Sequence, residues 1–364
     1  MEFGISQDQA LLQDSVNRFL DAEAGLERVR EFAQDPNAND VSADNVSGGG
    51  DIWQGLVELG VSALLVPEAA GGVGLTHFEA ALVAEALGNH VTPAPFLGSA
   101  VLGPAALTRS GHEDDPLLAE LAAGRATMGL ALSEVAGARA DGGVTGNGTQ
   151  LSGKALFVHD CHATHHLVAD TDLRLYLVEA GATGLEAAAL TDIDATRVSG
   201  SLTFAATPAR CLSDDPELTH TLIDIARVML AADTLGAAQN MLDQAVAYAK
   251  EREQFNRPIG SFQAVKHMCA EMAAQLEPCR ALVWYAAHTI DAEPAELRLL
   301  ACHTKAHLAE VGKFVAKTAT EVHGGMGFTD LLGLHYWFKR IGYNRQVLGA
   351  PELVREQAAL AQGL

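Results

Sequence analysis

The sequence predicts an α+β protein with an N-terminal α-helical domain, a small middle antiparallel β-domain and a C-terminal four-helix bundle. Three observations carry that expectation. Apolar residues recur at helical spacing up to about Gly124 and again from Glu217 onward. Between these stretches, from Thr127, short apolar runs are separated by Gly and Asn/Asp clusters, the pattern of a small sheet. The 364 residues also exceed what one hydrophobic core usually serves. The domains are expected at 1–126, 127–214 and 215–364.

Composition narrows the function. At 48% hydrophobic and 19% charged residues the chain is ordinary globular material. A formal net charge of -22 argues against nucleic acid and anionic membrane surfaces as partners. It leaves polyanionic small ligands open, because local arginines decide those. The start, Met1 to Gln9, lacks the basic region and apolar core of an export signal. No apolar run approaches the roughly 20 residues needed to span a bilayer. Five cysteines without CxxC spacing indicate neither a disulfide framework nor a zinc ribbon, so a reducing cytoplasmic setting is expected.

Taken in order, Ser6 and Gln9 form a capping box, and Leu12, Val16, Phe19 and Leu20 continue a helix expected to reach about Phe32. Residues 34–51 are polar and glycine-rich and read as a mobile loop. Trp53, Leu56, Val57 and Leu59 rebuild a helix face that stops at Gly60. The loop Val66 to Leu75 is glycine-rich but has neither GxxxxGK[ST] nor a strand-loop-helix dinucleotide fingerprint. It reads as a tight turn feeding Thr76 as N-cap, with Glu79 three residues on. The helix it opens is expected to end at Gly88 in a left-handed cap. Two further helical stretches lead to about Gly124. Strands are then expected at 128–132, 150–158, 166–170, 173–178 and 201–204. From about Glu217 the pattern is helical to the end.

Two long helical runs, Leu222 to Lys250 and Phe262 past Tyr285, flank residues 252–263. Pro258 cannot donate a helix hydrogen bond and Gly260 relaxes the backbone, so this segment reads as a turn. It carries Arg252 and Arg257, the aromatics Phe255 and Phe262, and the glutamines Gln254 and Gln263. Charged donors beside a flat apolar surface suit a phosphate-bearing, ring-containing ligand. The plain alternative is inter-helix core.

Arg252, Phe255, Pro258, Ile259, Phe262 and Gln263 resemble the Arg-x-x-Phe-Gly-x-Pro-Ile/Leu-x-x-Phe/His-Gln signature of acyl-CoA dehydrogenases, with Asn256 in place of glycine. Glu321-Val-His-Gly-Gly-Met-Gly-Phe-Thr329 is similar to the family's Gln-x-x-Gly-Gly-x-Gly-Tyr/Phe-Thr. The Pro67-Glu68 loop, Leu151-Ser-Gly-Lys154 and Asp194-Ala-Thr-Arg197 also resemble it, so the likeness covers nearly the whole chain.

The resemblance implies α,β-dehydrogenation of an acyl-CoA thioester on FAD. A carboxylate removes the α-proton while hydride leaves the β-carbon for the flavin. Family members place that carboxylate in a Glu-Gly-Thr triplet or in a Glu-Arg pair. Here the aligned residues are Leu348-Gly349-Ala350 and Ala226-Arg227, so no catalytic base stands at either position. Asp224 and Glu352 are neighbours of those positions and are read as surface or cap carboxylates. Around the flavin ring, Leu156-Phe157-Val158 replaces Trp/Phe-Ile-Thr, and Ser133 to Ala138 is a reduced Thr-Glu-Pro loop.

This asymmetry resembles the short, base-less subunits of actinobacterial α2β2 acyl-CoA dehydrogenases. The implied role is to contribute FAD-binding residues while a base-bearing partner subunit supplies the catalytic Glu. The residues expected at the cofactor are Arg252 at the pyrophosphate, Gln254, Phe255, Phe262 and Gln263, with His323, Gly324 and Gly325 offering backbone amides. An electron-transfer flavoprotein is the implied acceptor, and a sterol side-chain CoA ester a plausible substrate. Two rival readings stay open: a flavin-dependent monooxygenase of the same fold, and a non-catalytic structural partner. His303, His307 and Glu310 share a helix face, and Cys161, His162, His165 and His166 cluster, but solvated or packed positions explain both sets and no metal is expected.

Overall fold

A computed structural model of the chain describes residues 4–34, 50–138 and 143–364. The loop expected at 34–51 lies almost wholly outside the described residues. The N-terminal helices are α1 (Gln7–Glu23), α2 (Leu26–Gln34), α3 (Gly50–Glu58), α4 (His77–Asn89), α5 (Gly103–Arg109) and α6 (Pro116–Ala122). Both capping boxes form, Ser6 with Gln9 and Thr76 with Glu79.

Two expectations here are corrected. The first helix does not run unbroken to Phe32: it ends at Glu23, and the Gly25 carbonyl starts α2 by accepting from Arg28 and Val29. Gly88 is not a left-handed cap. It sits inside α4 where a Cβ would collide with the Asp233 carbonyl at 1.9 Å. Gly236 opposes it across the crossing, against the Glu85 carbonyl at 1.8 Å, so two small residues let the helix backbones touch.

The middle sheet has eight strands among the described residues: β1 (Met128–Ala131), β2 (Gly143–Gly146), β3 (Gln150–His159), β4 (His165–Ala169), β5 (Leu175–Glu179), β6 (Leu185–Ala189), β7 (Ser199–Pro208) and β8 (Arg210–Ser213). Their order is β6-β7-β3-β1-β4-β5-β8, with β2 also on β3. It is not wholly antiparallel. Strand β1 inserts between β3 and β4 and pairs with β4 in parallel, Met128 opposite His165. Strands β2, β6 and β8 went unread because they are short and weakly apolar. A bulge between Leu156 and Val158 leaves Phe157 at φ 56, half-exposed at 48%.

The C-terminal helices are α7 (Pro216–Glu251), α8 (Gln263–Ala292), α9 (Leu297–His323), α10 (Leu334–Gln346) and α11 (Pro351–Ala361). Their core is continuous with that of α1–α6, whereas the sheet encloses a smaller core of its own around Leu151, Val168, Tyr176 and Leu202. A buried ionic knot joins sheet to bundle. Arg340, fully buried, donates to Asp194 at 2.7 Å and Asp233 at 3.1 Å, and Arg197 reaches Asp233 at 2.8 Å. Thr196 also accepts from Arg340 at 2.6 Å. The Asp194-Ala-Thr-Arg197 stretch therefore locks the sheet loop onto the helices, since a buried charge persists only when paired.

Candidate functional site

The turn between α7 and α8 is a two-residue hairpin. Arg257 and Pro258 pair with Gln254 and Glu253, and Phe255 and Asn256 take φ of 54 and 60. Asn tolerates that left-handed backbone better than any non-glycine residue except Asp, which accounts for its standing where relatives have glycine. The Ile259 amide donates to the Arg252 carbonyl at 2.7 Å and closes the loop. Arg252, Gln254 and Gln263 project into solvent, and Phe255 is 88% exposed. Phe255 meets the half-buried Phe262 edge-on at 6.0 Å, and the Arg257 guanidinium lies 4.0 Å over the other ring. An aromatic that exposed is not inter-helix core.

Helix α9 ends beside this turn. His323 stacks on Tyr248 of the last turns of α7, 4.6 Å between centroids, and its Nδ1 donates to the Ala319 carbonyl at 2.7 Å. Burial pushes the imidazole below its ordinary value, so it is neutral packing and not a charge. Gly324 follows at φ 59 and caps the helix with its amide on the Glu321 carbonyl. Nothing lies within 4 Å of where a Cβ would stand on Gly324 or Gly325, so this shelf is open to a close-lying ligand. Phe328, 82% exposed, continues it. The two sequence motifs are thus neighbours, with Tyr248 the unforeseen link between them.

The space beside Leu348 is closed. Ser133, His159 and Leu348 line a pocket in which only about 10 Å³ of space remains, the size of a single water. Leu97, Leu130, Leu132, Leu230 and Leu348 fill it, with Ser133 and His159 at its edge. Ser133 Oγ donates to the Phe157 carbonyl at 2.8 Å, which fixes the loop against the bulge. Burial, with Arg197 and Arg340 nearby, keeps the His159 imidazole well below its ordinary value. A flavin ring or a thioester cannot enter here without moving several leucines.

Both positions that the resemblance assigns to a base are apolar and buried: Ala226 is fully buried and Leu348 is 6% exposed. Asp224 corrects the expectation that it lies at the surface. It is 2% exposed, and its carboxylate is held by Arg227 at 3.1 Å and by Arg298. It faces a cavity distinct from the leucine-filled pocket. Glu352 is a first-turn carboxylate of α11, whose proline opens the helix. The i, i+3 spacing of Asp224 and Arg227 was the one local signal for their pairing. His303 and His307 project into solvent, Glu310 pairs with Arg345 at 2.9 Å, and no metal-binding group of His, Cys, Asp or Glu occurs among the described residues. No helix is long and apolar enough to cross a membrane among the described residues.

Residues 6–125 match the family model described as Acyl-CoA dehydrogenase, N-terminal domain, and residues 217–362 that described as Acyl-CoA dehydrogenase, C-terminal domain. Acyl-CoA dehydrogenase IpdE2 of Mycolicibacterium smegmatis is 31% identical over 363 residues, covering 97% of each chain. A chain of the ChsE4-ChsE5 complex from Mycobacterium tuberculosis has TM-score 0.87 and 26% identity, covering 100% of this chain and 99% of that one. A chain of the Tcur3481-Tcur3483 steroid ACAD has TM-score 0.87 and 27% identity over 98% of both. PigA, solved with FAD and proline, shares the fold at TM-score 0.85 and 20% identity over all of both chains.

Proposed function

The chain belongs to the acyl-CoA dehydrogenase family, and from that premise we propose that it is the base-less subunit of a heteromeric enzyme, lending FAD-binding residues to a partner that supplies the catalytic glutamate. Its relatives are oxidoreductases acting on acyl-CoA, and FAD is the cofactor of the fold. One observation carries the reading. The space where ring, thioester and base would meet in this chain is filled by leucines, while the turn and shelf that would reach a neighbour's cofactor stand open.

The residues present suit FAD. Arg252 would take a pyrophosphate oxygen by a charge-assisted hydrogen bond. Phe255 and Phe262 would offer an apolar face, Gln254 and Gln263 polar donors beside it, and Gly325 a backbone that can be approached closely. The Gly324 amide already bonds within the helix cap, so Gly324 would serve through its missing side chain, and His323 by holding the shelf against Tyr248. Bound there, FAD would supply the acceptor for a hydride from the β-carbon of the acyl thioester. Glu321 is exposed near this shelf and would oppose phosphate charge, which favours a pyrophosphate on the Arg252 side.

Two similar structures are complexes named for two proteins, one of them a steroid ACAD, which supports an α2β2 assembly and a sterol side-chain CoA substrate. A cytoplasmic setting and an electron-transfer flavoprotein acceptor complete the proposal. A self-sufficient monooxygenase would need room for its own flavin ring, and the closed pocket opposes it. The test is co-purification of the complex with Arg252→Ala in this subunit. Flavin occupancy should fall sharply; unchanged occupancy would leave only the structural-partner reading.

A further inference from the structure

Behind the leucine-filled pocket lies a second cavity of about 190 Å³, bounded by α7, α9, α11 and the loop after β1. Its lining is mixed: Val135, Ala136 and Ile223 are apolar, and Arg227, Arg298, His220, Gln357 and Asp224 are polar, with Asp224 bonded to both guanidiniums.

Two guanidiniums share one buried carboxylate here: Arg227 is enclosed, while Arg298, 34% exposed, is also attracted by Glu217. Arg227 is 2% exposed; it donates from Nε to the Leu348 carbonyl at 2.9 Å and from Nη1 to Asp224 Oδ1 at 3.1 Å. Arg298 donates from Nε to the other oxygen of the same carboxylate. One carboxylate thus serves two guanidiniums, and each guanidinium brings five donors. Burial together with Arg298 pushes the His220 imidazole down, so it adds a neutral donor or acceptor rather than a charge. Nearby Lys305 is pushed down to about 7, chiefly by burial, with Arg227 and Arg345 adding repulsion. Glu217 stands at the start of α7 and faces solvent. A guanidinium buried with half a counter-ion is a costly arrangement that an incoming anion would relieve.

We propose that this cavity binds a small organic carboxylate, its oxygens on Arg298 and Arg227 and its short apolar body against Val135, Ala136 and Ile223. The mixed lining selects the class. Inorganic phosphate would meet the guanidiniums but leave its remaining oxygens facing alkyl groups, a desolvation without recompense. The Arg fork matches a planar carboxylate in two parallel hydrogen bonds.

Isothermal titration of sodium isobutyrate into the full chain, against parallel titrations of acetate and inorganic phosphate, tests this. The expected result is one site per chain, with isobutyrate at least tenfold tighter than phosphate and tighter than acetate. Arg298→Gln should weaken isobutyrate binding at least tenfold. Ala136→Phe should remove it by filling the cavity without touching a charge. Circular dichroism melts establish that each variant folds, and the unmodified chain decides the case if one does not. No binding of isobutyrate, phosphate binding as tightly, or either folded variant binding like the parent overturns the proposal. The titration reads no flavin and needs no partner, so its failure leaves the cofactor-sharing function standing.

Discussion

Arg227 Nε donates a hydrogen bond of 2.9 Å to the carbonyl of Leu348, and so ties Leu348 to the residue next to Ala226; Leu348 and Ala226 are the two positions to which the resemblance assigns a proton-abstracting carboxylate. Neither position offers one. Leu348 holds φ 56 and faces a pocket with about 10 Å³ of free space, so restoring a base takes more than a residue change. Leu348→Glu should destabilise the chain by at least about 2 kcal/mol, because an ionised carboxylate replaces a buried alkyl group. It should also yield no desaturation of acyl-CoA by this subunit. Urea melts and a dye-reduction assay check the two halves.

Arg252 is exposed at the end of α7, and its side chain supports nothing within the chain that the described residues reveal. Arg252→Ala should therefore leave the subunit's melting temperature unchanged. Flavin affinity of the complex should drop by about ten- to a hundredfold, the worth of one charge-assisted hydrogen bond. Equilibrium dialysis with FAD reads the difference.

Phe255 is 88% exposed and meets Phe262 edge-on. Phe255→Ser should change the stability of the isolated chain by less than about 0.5 kcal/mol. If the ring is buried on assembly, the same change should weaken the complex by about 1.5–3 kcal/mol. Analytical ultracentrifugation of subunit and complex separates the two numbers.

Lys305 is fully enclosed, with Nζ donating to the Asn344 carbonyl, and its ammonium is pushed down from 10.5 to about 7. Burial is the main cause, with Arg227 and Arg345 adding repulsion. Below pH 7 both folded and unfolded chains carry the proton, and the folded state bears the full cost. Between pH 7 and 10.5 the unfolded chain alone keeps it, so stability should rise with pH across that window. Lys305→Met should abolish the rise, which denaturant titrations at pH 7, 8 and 9 would measure.

Local chemistry made much of this readable in advance. The capping boxes at Ser6 and Thr76 and the turn around Pro258 depend on neighbours in sequence, and they form as read. What escaped depends on distant partners. Gly88 looks like a helix stop until Asp233 of α7 stands against it. Asp224 looks like a surface carboxylate until Arg298, 74 residues on, is placed beside it. Strand β1 pairs in parallel only because it is inserted between β3 and β4, a choice made by the whole sheet. At the site, the apolar positions 226 and 348 were legible as a missing base, but the closure of the pocket required Leu97, Leu132 and Leu230 to meet there.

The central claim is that this chain carries an open half-cradle for FAD and no active pocket of its own. The most direct measurement is the visible spectrum and desaturase activity of the chain purified alone, beside those of its complex with a glutamate-bearing acyl-CoA dehydrogenase subunit. The account predicts a colourless, inactive protein alone and a yellow, active complex. A stoichiometric flavin on the isolated chain, with unaided desaturation of an acyl-CoA, would contradict it.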